Sequence, residues 1–574
     1  MISQIVFDLP LDEPFDYLIP EQLTGKVAVG MRVRVSFGPR AQVGFVVGLL
    51  KESNILKLKP ILSLCDAVPV FNDLDLNFAR EFAAYYGCSL GEALSTTLRN
   101  REDLKPSIRR ENKPAVFLHL CQPDGYAAKI RAIIQGYPRQ SRFLILVPDV
   151  FRAQTLSSQL TGIESIKIGM RSAVFAADGR YACVIMVDEE DSSFKQEQSP
   201  MYETRQVVLA RSKMYGFDLA FAGISPSVEL MHLVRDHQAG LIEDKALATS
   251  PVRLVDLTMY KFVPGLISPP VREVLDAALK AGKKGILVLN RRGSYRMTRC
   301  VDCAEVLKCS RCDSPLIYSR SEGKYLCRHC AFSASGDTVC PRCHKPSWKS
   351  VGIGVEQVQT ELKKLFPAAR VASFERAQKA KEQALGDFDI LVSTNAVLRF
   401  QGALKAQVAA FIDFDAELNR LDMRSAFNAF SLALHVSSMA VDPILIQTRN
   451  INHYVLQSLS CGKLKDYYDE ELKLRKEFGF SPFKHWIKLS WRGKAEKSTH
   501  EAALQVYNEL IKSAPEKCSI TPPLADAVMR KRDQFRFNVM VQADQVPPTV
   551  AFIKTTLTKT KRLSRVIMTI NIDP

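Results

Sequence analysis

Four Cys-x-x-Cys pairs within 44 residues constrain the fold of this chain more than any other feature of its sequence. In a reducing compartment such pairs bind metal, and each turn lets two sulfurs reach one zinc ion at about 2.3 Å. Four thiolates leave no open position for water, so we expect two structural Zn²⁺ ions and no catalytic one. Spacing alone allows several pairings of the eight cysteines, which are Cys300, Cys303, Cys309, Cys312, Cys327, Cys330, Cys340 and Cys343.

The charge of the chain favours a polyanionic partner. Its 574 residues carry 78 Lys and Arg against 61 Asp and Glu, a formal net charge of +17. Such an excess is typical of proteins that bind nucleic acid or an anionic membrane surface, although a soluble protein with a basic face has the same composition. The sequence has neither a run of about 18 apolar residues nor a signal-peptide pattern, so we expect a cytoplasmic protein without membrane contact.

The apolar pattern divides the chain into segments of different class. The first hundred residues contain strands that alternate at period two, as in Arg32–Phe37, and predict a β-rich domain. From residue 115, continuous apolar runs such as 143–147 alternate with helical stretches, which predicts a multidomain α/β chain with parallel sheets. The predicted segments are the β-rich domain (1–104), a charged linker (105–114), a first parallel sheet (115–245), the start of a second (246–298), the cysteine module (299–346), the rest of the second sheet (347–460) and an α+β ending (461–574).

The cysteine spacing, set between two parallel sheets, resembles that of the PriA family of bacterial replication restart proteins. The stretches Pro14–Tyr17, Ile446–Thr448 and Phe480–Phe483 are also similar to the family. The resemblance implies a domain that binds DNA 3′ ends, two RecA-like helicase lobes with the zinc module inserted in the second, and a C-terminal α+β domain. It implies that Cys300, Cys303, Cys340 and Cys343 bind one zinc ion, and that the other four bind the second.

The resemblance also implies partners and a location. The partners are forked or single-stranded DNA, other replication restart proteins and single-strand-binding proteins. The location is the bacterial cytoplasm, at the nucleoid during replication.

The N-terminal match implies a pocket for the terminal nucleotide of a DNA strand. On the resemblance, four residues line it: Phe15, Asp16, Gly38 and Lys59. An aromatic ring can stack on a base, and a carboxylate can accept a hydrogen bond from a 3′-hydroxyl. Without the family, Phe15 and Tyr17 would be interpreted as core residues.

The loop that would bind nucleotide phosphates departs from the family. Such a loop needs a Lys for the β- and γ-phosphates and a hydroxyl for magnesium. At the matching positions this chain has Tyr126 and Ala127, while Pro123 removes a backbone donor and Asp124 adds a negative charge. We therefore expect neither ATP nor Mg²⁺ to be a working cofactor.

Of the other motifs that bind nucleotide in the family, one has lost its arginines and one keeps its acidic residues. The segment similar to the one that supplies arginine fingers reads His435–Asp442 and contains no arginine. Since an arginine finger contributes about 10³–10⁵ in rate, its loss predicts no ATP hydrolysis. The acidic motif Asp188, Glu189 and Glu190 is retained and is similar to the family's strand-end acids, so the alternative is an active ATP-dependent 3′-to-5′ helicase with a divergent nucleotide site.

Positive charge is concentrated in the last segment. Arg530, Lys531, Arg532 and Arg536 alternate with or adjoin Phe535 and Phe537, a composition that suits phosphate binding and base stacking. The alternative is a solvated basic face with aromatic residues in the core.

Three functions are compatible with these features. The first is a scaffold that binds forked DNA with a 3′ end and reloads the replication machinery without ATP hydrolysis. The second is the divergent helicase. The third is a zinc-stabilised protein-interaction module that has lost DNA binding. We favour the first because binding segments are preserved beside broken nucleotide motifs.

Overall fold

The computed structural model describes most of the chain. It describes residues 1–574 except 99–104, 112, 244–250, 261–264, 290–296, 304, 311–314, 320–322, 328–331, 352–353, 375–386, 421, 516–517, 532 and 561–564, and of residues 297, 319, 350–351 and 527–531 only the backbone. The predicted zinc ligands Cys312 and Cys330 and the predicted DNA contact Arg532 lie outside the described residues.

Helices are distributed along the whole described chain. They are α1 (Asp73–Tyr86), α2 (Leu90–Leu98), α3 (Tyr126–Gln135), α4 (Val150–Gln159), α5 (Thr204–Tyr215), α6 (Val228–Arg235), α7 (Pro269–Lys280), α8 (Val355–Leu365), α9 (Asp415–Leu418), α10 (Ser425–Ser437), α11 (Tyr454–Ser460), α12 (Leu464–Phe478), α13 (Glu496–Ser513) and α14 (Val546–Thr558).

Strands form the sheets of every segment. They are β1 (Ile2–Val6), β2 (Phe15–Leu18), β3 (Arg32–Phe37), β4 (Arg40–Leu50), β5 (Ile61–Leu64), β6 (Val116–Leu120), β7 (Phe143–Leu146), β8 (Ile166–Gly169), β9 (Cys183–Val187), β10 (Asp218–Gly223), β11 (Gly240–Glu243), β12 (Val252–Asp256), β13 (Gly285–Val288), β14 (Met297–Cys300), β15 (Ile317–Ser319), β16 (Lys324–Leu326), β17 (Ser333–Ser335), β18 (Trp348–Val351), β19 (Val371–Phe374), β20 (Ile390–Ser393), β21 (Val408–Phe411), β22 (Ile444–Thr448), β23 (His485–Gly493), β24 (Ser519–Ile520), β25 (Leu524–Lys531), β26 (Gln534–Ala543) and β27 (Ile567–Ile572).

The N-terminal segment is an antiparallel sheet followed by two helices. Its described strands lie in the order β2-β1-β4-β3-β5. A two-residue turn at Gly38 and Pro39 joins β3 to β4, and the φ of +60° at Gly38 favours glycine. Helix α1 begins with a capping box between Asn72 and Asp75, then packs its buried face, including Phe82, into a core shared with the first parallel sheet.

Two parallel sheets make up the centre of the described chain. Their strands lie in the orders β11-β6-β10-β9-β7-β8 and β12-β22-β21-β13-β20-β19, and every pairing within them is parallel. Strands such as β9 and β20 are buried along their whole length, because helices cover both faces. The α/β class predicted from the apolar runs is confirmed.

The cysteine module and the C-terminal segment complete the fold. In the module, β14 pairs with β18, and β15, β16 and β17 form a small antiparallel sheet. From β23 onward the C-terminal segment runs β23-α13-β24-β25-β26-α14-β27, and in its antiparallel sheet β26 pairs with β24, β25 and β23, while β23 also pairs with β27. Within the described residues, the helices are too short or too polar to cross a membrane.

Candidate functional site: the cleft between the two parallel sheets

The acidic motif lies where its sequence predicts, at the carboxyl end of a central parallel strand. Asp188 follows β9, and its backbone N–H donates to the Ala222 carbonyl at 2.9 Å. It adopts a left-handed conformation with φ of +50°, which is uncommon for a residue with a side chain. Asp188 and Glu189 are both buried, at 4% and 3% exposure. Their carboxylates must therefore be satisfied within the protein.

We call each parallel sheet with its covering helices a lobe. Both oxygens of Asp188 are occupied by side chains of the first lobe. The Tyr126 hydroxyl, at the start of α3, donates to Oδ1 of Asp188. The Arg152 guanidinium, on α4, lies 3.1 Å from Oδ2 and 5.1 Å from the centre of the Tyr126 ring. Burial, followed by the charge of Asp188, raises the pKa of Tyr126 well above its ordinary value, so the phenol stays protonated as a donor. Tyr126 and Arg152 thus provide a partner for each oxygen of the Asp188 carboxylate.

Glu189 belongs to an ion-pair network that joins helices. Arg205 on α5 lies 2.6 Å from Glu189 and 3.4 Å from Glu229, and the Ser227 backbone N–H donates to Glu189 at 2.7 Å. Arg475 on α12 continues the network to Glu229 at 3.0 Å. Because each buried charge has an opposite partner, this network holds the C-terminal helix α12 against the first lobe.

Glu190 connects the two lobes through His435. Nε2 of His435, on α10 of the second lobe, lies 2.8 Å from Oε1 of Glu190. The Ser225 hydroxyl donates to the same carboxylate at 2.8 Å and lies 2.7 Å from the Ser431 hydroxyl of α10. Nδ1 of His435 lies 2.9 Å from the Gln401 amide nitrogen. The segment similar to the arginine-finger segment therefore provides a histidine that bonds across the cleft.

The pKa values of Glu190 and His435 are both raised, so each group binds a proton more readily than usual. Burial, the largest cause, raises the pKa of Glu190 to about 7. Burial lowers the pKa of His435, but the hydrogen bond and charge of Glu190 raise it overall above its ordinary value. A proton held between the two groups is therefore favoured near neutral pH.

Further contacts close the cleft toward its rim. The Arg152 guanidinium also donates to Gln401 at 3.3 Å, and Lys405 pairs with Asp124 at 3.0 Å. The Arg399 guanidinium lies 5.7 Å from the Phe151 ring. Each of these contacts joins the first lobe to the second. The surfaces that would enclose a nucleotide instead contact each other directly.

A magnesium nucleotide does not fit these residues. Asp188 already has two partners, Tyr126 replaces the phosphate-binding amine, and Ala127 has no hydroxyl. Ligand atoms of Asp188, Glu190 and His435 do lie within 4.8 Å of one another. However, Asp188 is already paired with Arg152 and Tyr126, and Oε1 of Glu190 with His435 and Ser225.

Among the described residues of the cysteine module, four cysteines form a cluster. Ligand atoms of Cys300, Cys303, Cys340 and Cys343 lie within 4.8 Å of one another, and the Cys300–Cys343 and Cys303–Cys340 sulfurs are each 3.5 Å apart. Sulfurs around a tetrahedral zinc ion at about 2.3 Å have similar separations, so this cluster fits Zn²⁺. It contains the same four cysteines that the family resemblance pairs. Of the other four, Cys309 and Cys327 are both buried in one small core.

Two of the predicted pocket residues, Phe15 and Asp16, lie on opposite faces of β2, whereas Gly38 lies in a turn and Lys59 precedes β5. The half-buried Phe15 ring packs 5.2 Å from the Phe37 ring, next to the turn at Gly38. Asp16 is on the opposite side of β2 and accepts a hydrogen bond from the Ser53 hydroxyl at 2.6 Å. Lys59 is exposed, and its carbonyl accepts from the Leu18 backbone N–H at 2.9 Å. Lys59 is therefore exposed near this edge, Asp16 is half-buried beside Ser53, and Phe15 shares an aromatic cluster.

Comparison with known proteins shows similarity to one family over the whole chain. A family model described as the 3′DNA-binding domain of PriA matches residues 4–99. The replication restart protein PriA of Treponema pallidum is 26% identical, and the alignment covers 100% of this chain and 99% of that protein. This chain is a divergent relative of the PriA proteins. The PriA proteins of Haemophilus influenzae and Rickettsia conorii are each 22% identical, with 94% and 100% of this chain and 95% and 99% of the relative covered.

These matches confirm the PriA resemblance inferred from the sequence. Among solved structures, the DUF1998 helicase MrfA bound to DNA has a TM-score of 0.32 and 10% identity, and the alignment covers 62% of this chain and 49% of that chain. A similarity of this size supports no argument about fold or function.

In this PriA relative, the basic cluster of the last segment has one described side chain. Arg530 and Lys531 lie on β25, with side chains outside the described residues, whereas the half-buried Arg536 lies on β26. Phe537 is buried at 6% exposure against α13, on the face of β26 opposite to Arg536. The base-stacking role considered for Phe537 is therefore wrong, because strand alternation directs the phenylalanine into the core.

Several residues of the cleft were not found from the sequence. Arg152, Ser225 and Gln401 occur in ordinary helical or loop contexts, and their partners are distant along the chain. The available signals were Tyr126, in the position of the family's loop lysine, and the loss of both arginines from the segment His435–Asp442.

Proposed function

We propose that this chain is a DNA-binding replication restart protein that recognises forked DNA with a 3′ end and helps to reload the replication machinery without ATP hydrolysis. One observation carries the proposal: Tyr126 and Arg152 satisfy Asp188, while His435 bonds to Glu190 across the cleft. The acidic groups that would act on a bound triphosphate are thus paired with other side chains of the protein. The match of residues 4–99 to the PriA 3′DNA-binding domain supports the DNA-binding part.

Phosphate release tests the absence of hydrolysis. We expect the purified full-length chain, with Mg²⁺ and ATP at micromolar protein, to release phosphate at the background rate with and without forked DNA. Asp188→Asn is the matched variant. DNA-stimulated release that disappears in Asp188→Asn would contradict the proposal and support the alternative, an active helicase, which the retained acids at the end of β9 favour.

A binding assay tests recognition of the fork. We expect tighter binding to a fork with a 3′ end at the branch than to a random duplex of the same length, measured by fluorescence anisotropy. Equal affinity for both DNAs would contradict the proposal. Absent or salt-insensitive binding would favour the third function, a protein-interaction module, because phosphate contacts make affinity fall steeply with salt.

We assign the predicted pocket residues Phe15, Asp16, Gly38 and Lys59 to capture of the DNA 3′ end. The Asp16 carboxylate would accept a hydrogen bond from the terminal hydroxyl in place of Ser53. We expect Asp16→Asn to weaken binding of a 3′-hydroxyl end by about tenfold or more, since hydrogen bonds to charged groups contribute about 1.5–3 kcal/mol. DNA that ends in a 3′-deoxynucleotide without the terminal hydroxyl is the control, and it should bind both proteins alike.

We further propose two Zn²⁺ per chain, both structural, and contacts with other restart and single-strand-binding proteins. The cluster of Cys300, Cys303, Cys340 and Cys343 supports the first zinc ion. The second is proposed for Cys309, Cys312, Cys327 and Cys330. Metal analysis of the purified chain should give two zinc equivalents, and one equivalent would contradict the second site.

A further inference from the structure

Two arginines face each other on the central strands of the C-terminal sheet. Arg492 on β23 and Arg536 on β26 are direct cross-strand partners in the antiparallel register. Cβ atoms of such partners lie about 4.5–5.5 Å apart. The alternate residues Trp491 and Phe537 are buried against the helices. Both arginines therefore lie on the face of the sheet that turns away from α13 and α14.

These arginines have no acidic partner among the side chains that the structure describes. Nε of Arg492 and Nε of Arg536 are both buried and without a hydrogen-bond partner there. The nearest described ion pair on this face joins Lys488 to Asp526 at 3.7 Å. Like charges directly opposite each other destabilise a sheet, and buried donors without partners destabilise it further. A fold keeps such an arrangement most readily when an external anion satisfies it.

We propose that Arg492 and Arg536 together bind the sugar–phosphate backbone of DNA. This inference rests on the proposed DNA-binding function and names the surface of the C-terminal domain that serves it. A guanidinium presents parallel N–H donors that match phosphate oxygens, and two facing guanidiniums can bind one phosphate or two adjacent ones. Arg492 was not among the residues that the sequence singled out.

The neighbouring side chains fit a backbone contact better than base stacking. Along the same face, the Ser490 hydroxyl donates to the Asn538 side chain at 2.7 Å, and Thr569 is the cross-strand partner of Ser490. Short polar groups beside arginines are typical of phosphate and sugar contacts. The aromatic rings of β23 and β26 nearest the arginines belong to the core. The surface therefore reads the charge of DNA and not its bases.

Salt dependence of DNA binding tests the proposal. Affinity of the full-length chain for the fork is measured at several NaCl concentrations for wild type, Arg492→Gln, Arg536→Gln and the double variant. Log affinity falls with log salt by about 0.9 per phosphate contact on duplex DNA and about 0.7 on single strands. We expect each single substitution to reduce this slope by about one and to weaken binding. A reduction of about one in the double variant indicates one shared phosphate, and about two indicates separate phosphates.

A control variant lies on the other side of the same domain. Lys512, at the end of α13, pairs with Glu509 at 2.6 Å on the helical face. We expect Lys512→Gln to keep the wild-type slope, and Arg492→Lys to keep the slope while weakening affinity, because lysine retains the charge without the parallel donors. Wild-type slopes in the arginine-to-glutamine variants, with fork binding intact, would overturn this inference alone. Absence of fork binding in the wild type would overturn the proposed function as well.

Discussion

At the scale of single residues, the decisive difference is at position 126, where this chain has a tyrosine and the phosphate-binding loop of the family has a lysine. The phenol is buried at 1% exposure and donates to Asp188, while Arg152 brings the positive charge that this carboxylate needs. An ionised carboxylate is stable in such a place only when charged or hydrogen-bonded groups surround it. The chain has thus kept the acid and replaced its ligand by its own side chains.

Removing the Tyr126 hydroxyl should destabilise the fold without changing phosphate release. In Tyr126→Phe, Oδ1 of buried Asp188 loses its donor, and a buried polar atom left without a partner costs about 1–3 kcal/mol. The measurement is the free energy of unfolding in urea. Tyr318→Phe is the control, because this ring is 36% exposed. Equal stability of the two variants would show that the phenol does not support Asp188.

His485 should make stability depend on pH. Nδ1 of His485 lies 2.7 Å from Asp573, and although burial lowers the pKa of His485, this hydrogen bond and charge raise it overall. A raised folded-state pKa means that the stabilisation is complete below the unfolded value of about 6.5 and is lost as pH rises through the folded value.

The same pair gives a variant to measure. His485→Gln should remove a pH-dependent contribution of about 1 kcal/mol to the free energy of unfolding between pH 5.5 and 8, a value reduced for partial exposure. Urea unfolding of both proteins over this range is the measurement. An unchanged pH profile would exclude the ion pair as its cause.

At the scale of elements, the cysteine module has little core, so we expect its fold to depend on bound metal. Its strands have three or four residues each, and its largest apolar cluster is small. Small segments of this kind obtain their folding free energy from the bound ion. The two parallel sheets have continuous buried strands and large cores of their own.

Breaking the described cluster should unfold the module locally. In Cys340→Ser, we expect loss of one zinc equivalent and rapid proteolysis near residues 299–346, while the rest of the chain keeps its melting temperature. Zinc analysis and limited proteolysis with mass spectrometry measure this. Cys461→Ser, at an exposed cysteine outside the module, is the control. Retention of all zinc would exclude Cys340 as a ligand.

At the scale of the whole molecule, the contacts across the cleft hold the two lobes together without a nucleotide. Glu190–His435, Ser225–Ser431 and Arg152–Gln401 all join one lobe to the other. In a helicase, lobe closure depends on bound nucleotide, because phosphates bridge the two sides. Here side chains bridge the two lobes, and we expect this bridge to stay in place when nucleotide is added.

Solution scattering can detect this difference. We expect the radius of gyration of the full-length chain to be the same with and without a non-hydrolysable ATP analogue and Mg²⁺. A double variant, Arg152→Ala with His435→Ala, should loosen the lobes and increase protease cleavage between them. Asp124→Asn, which removes only the half-exposed pair with Lys405, should behave as wild type. Compaction of the wild type by nucleotide would contradict a side-chain bridge.

Some features could be predicted from the sequence because their causes are local. The Cys-x-x-Cys turns, the continuous apolar strands and the missing loop lysine each need only a few adjacent residues to be recognised. The position of Asp188 at the end of a strand follows from the apolar run before it. These features predicted the α/β class, which is confirmed, and they also predict a metal module and a chain without a working phosphate-binding loop.

Other features were decided only by the tertiary structure, because they join residues that are far apart in sequence. His435 meets Glu190 across 245 positions, and Arg152 reaches Gln401 across 249. Arg492 faces Arg536 only because β23 and β26 pair in one register, and the same register turns Phe537 into the core. Spacing and composition contain no signal for such pairs, since the partner of a buried polar group is selected by the packing of whole elements. The sequence alone determined which nucleotide-binding groups are missing, and the folded chain determined which side chains replace them.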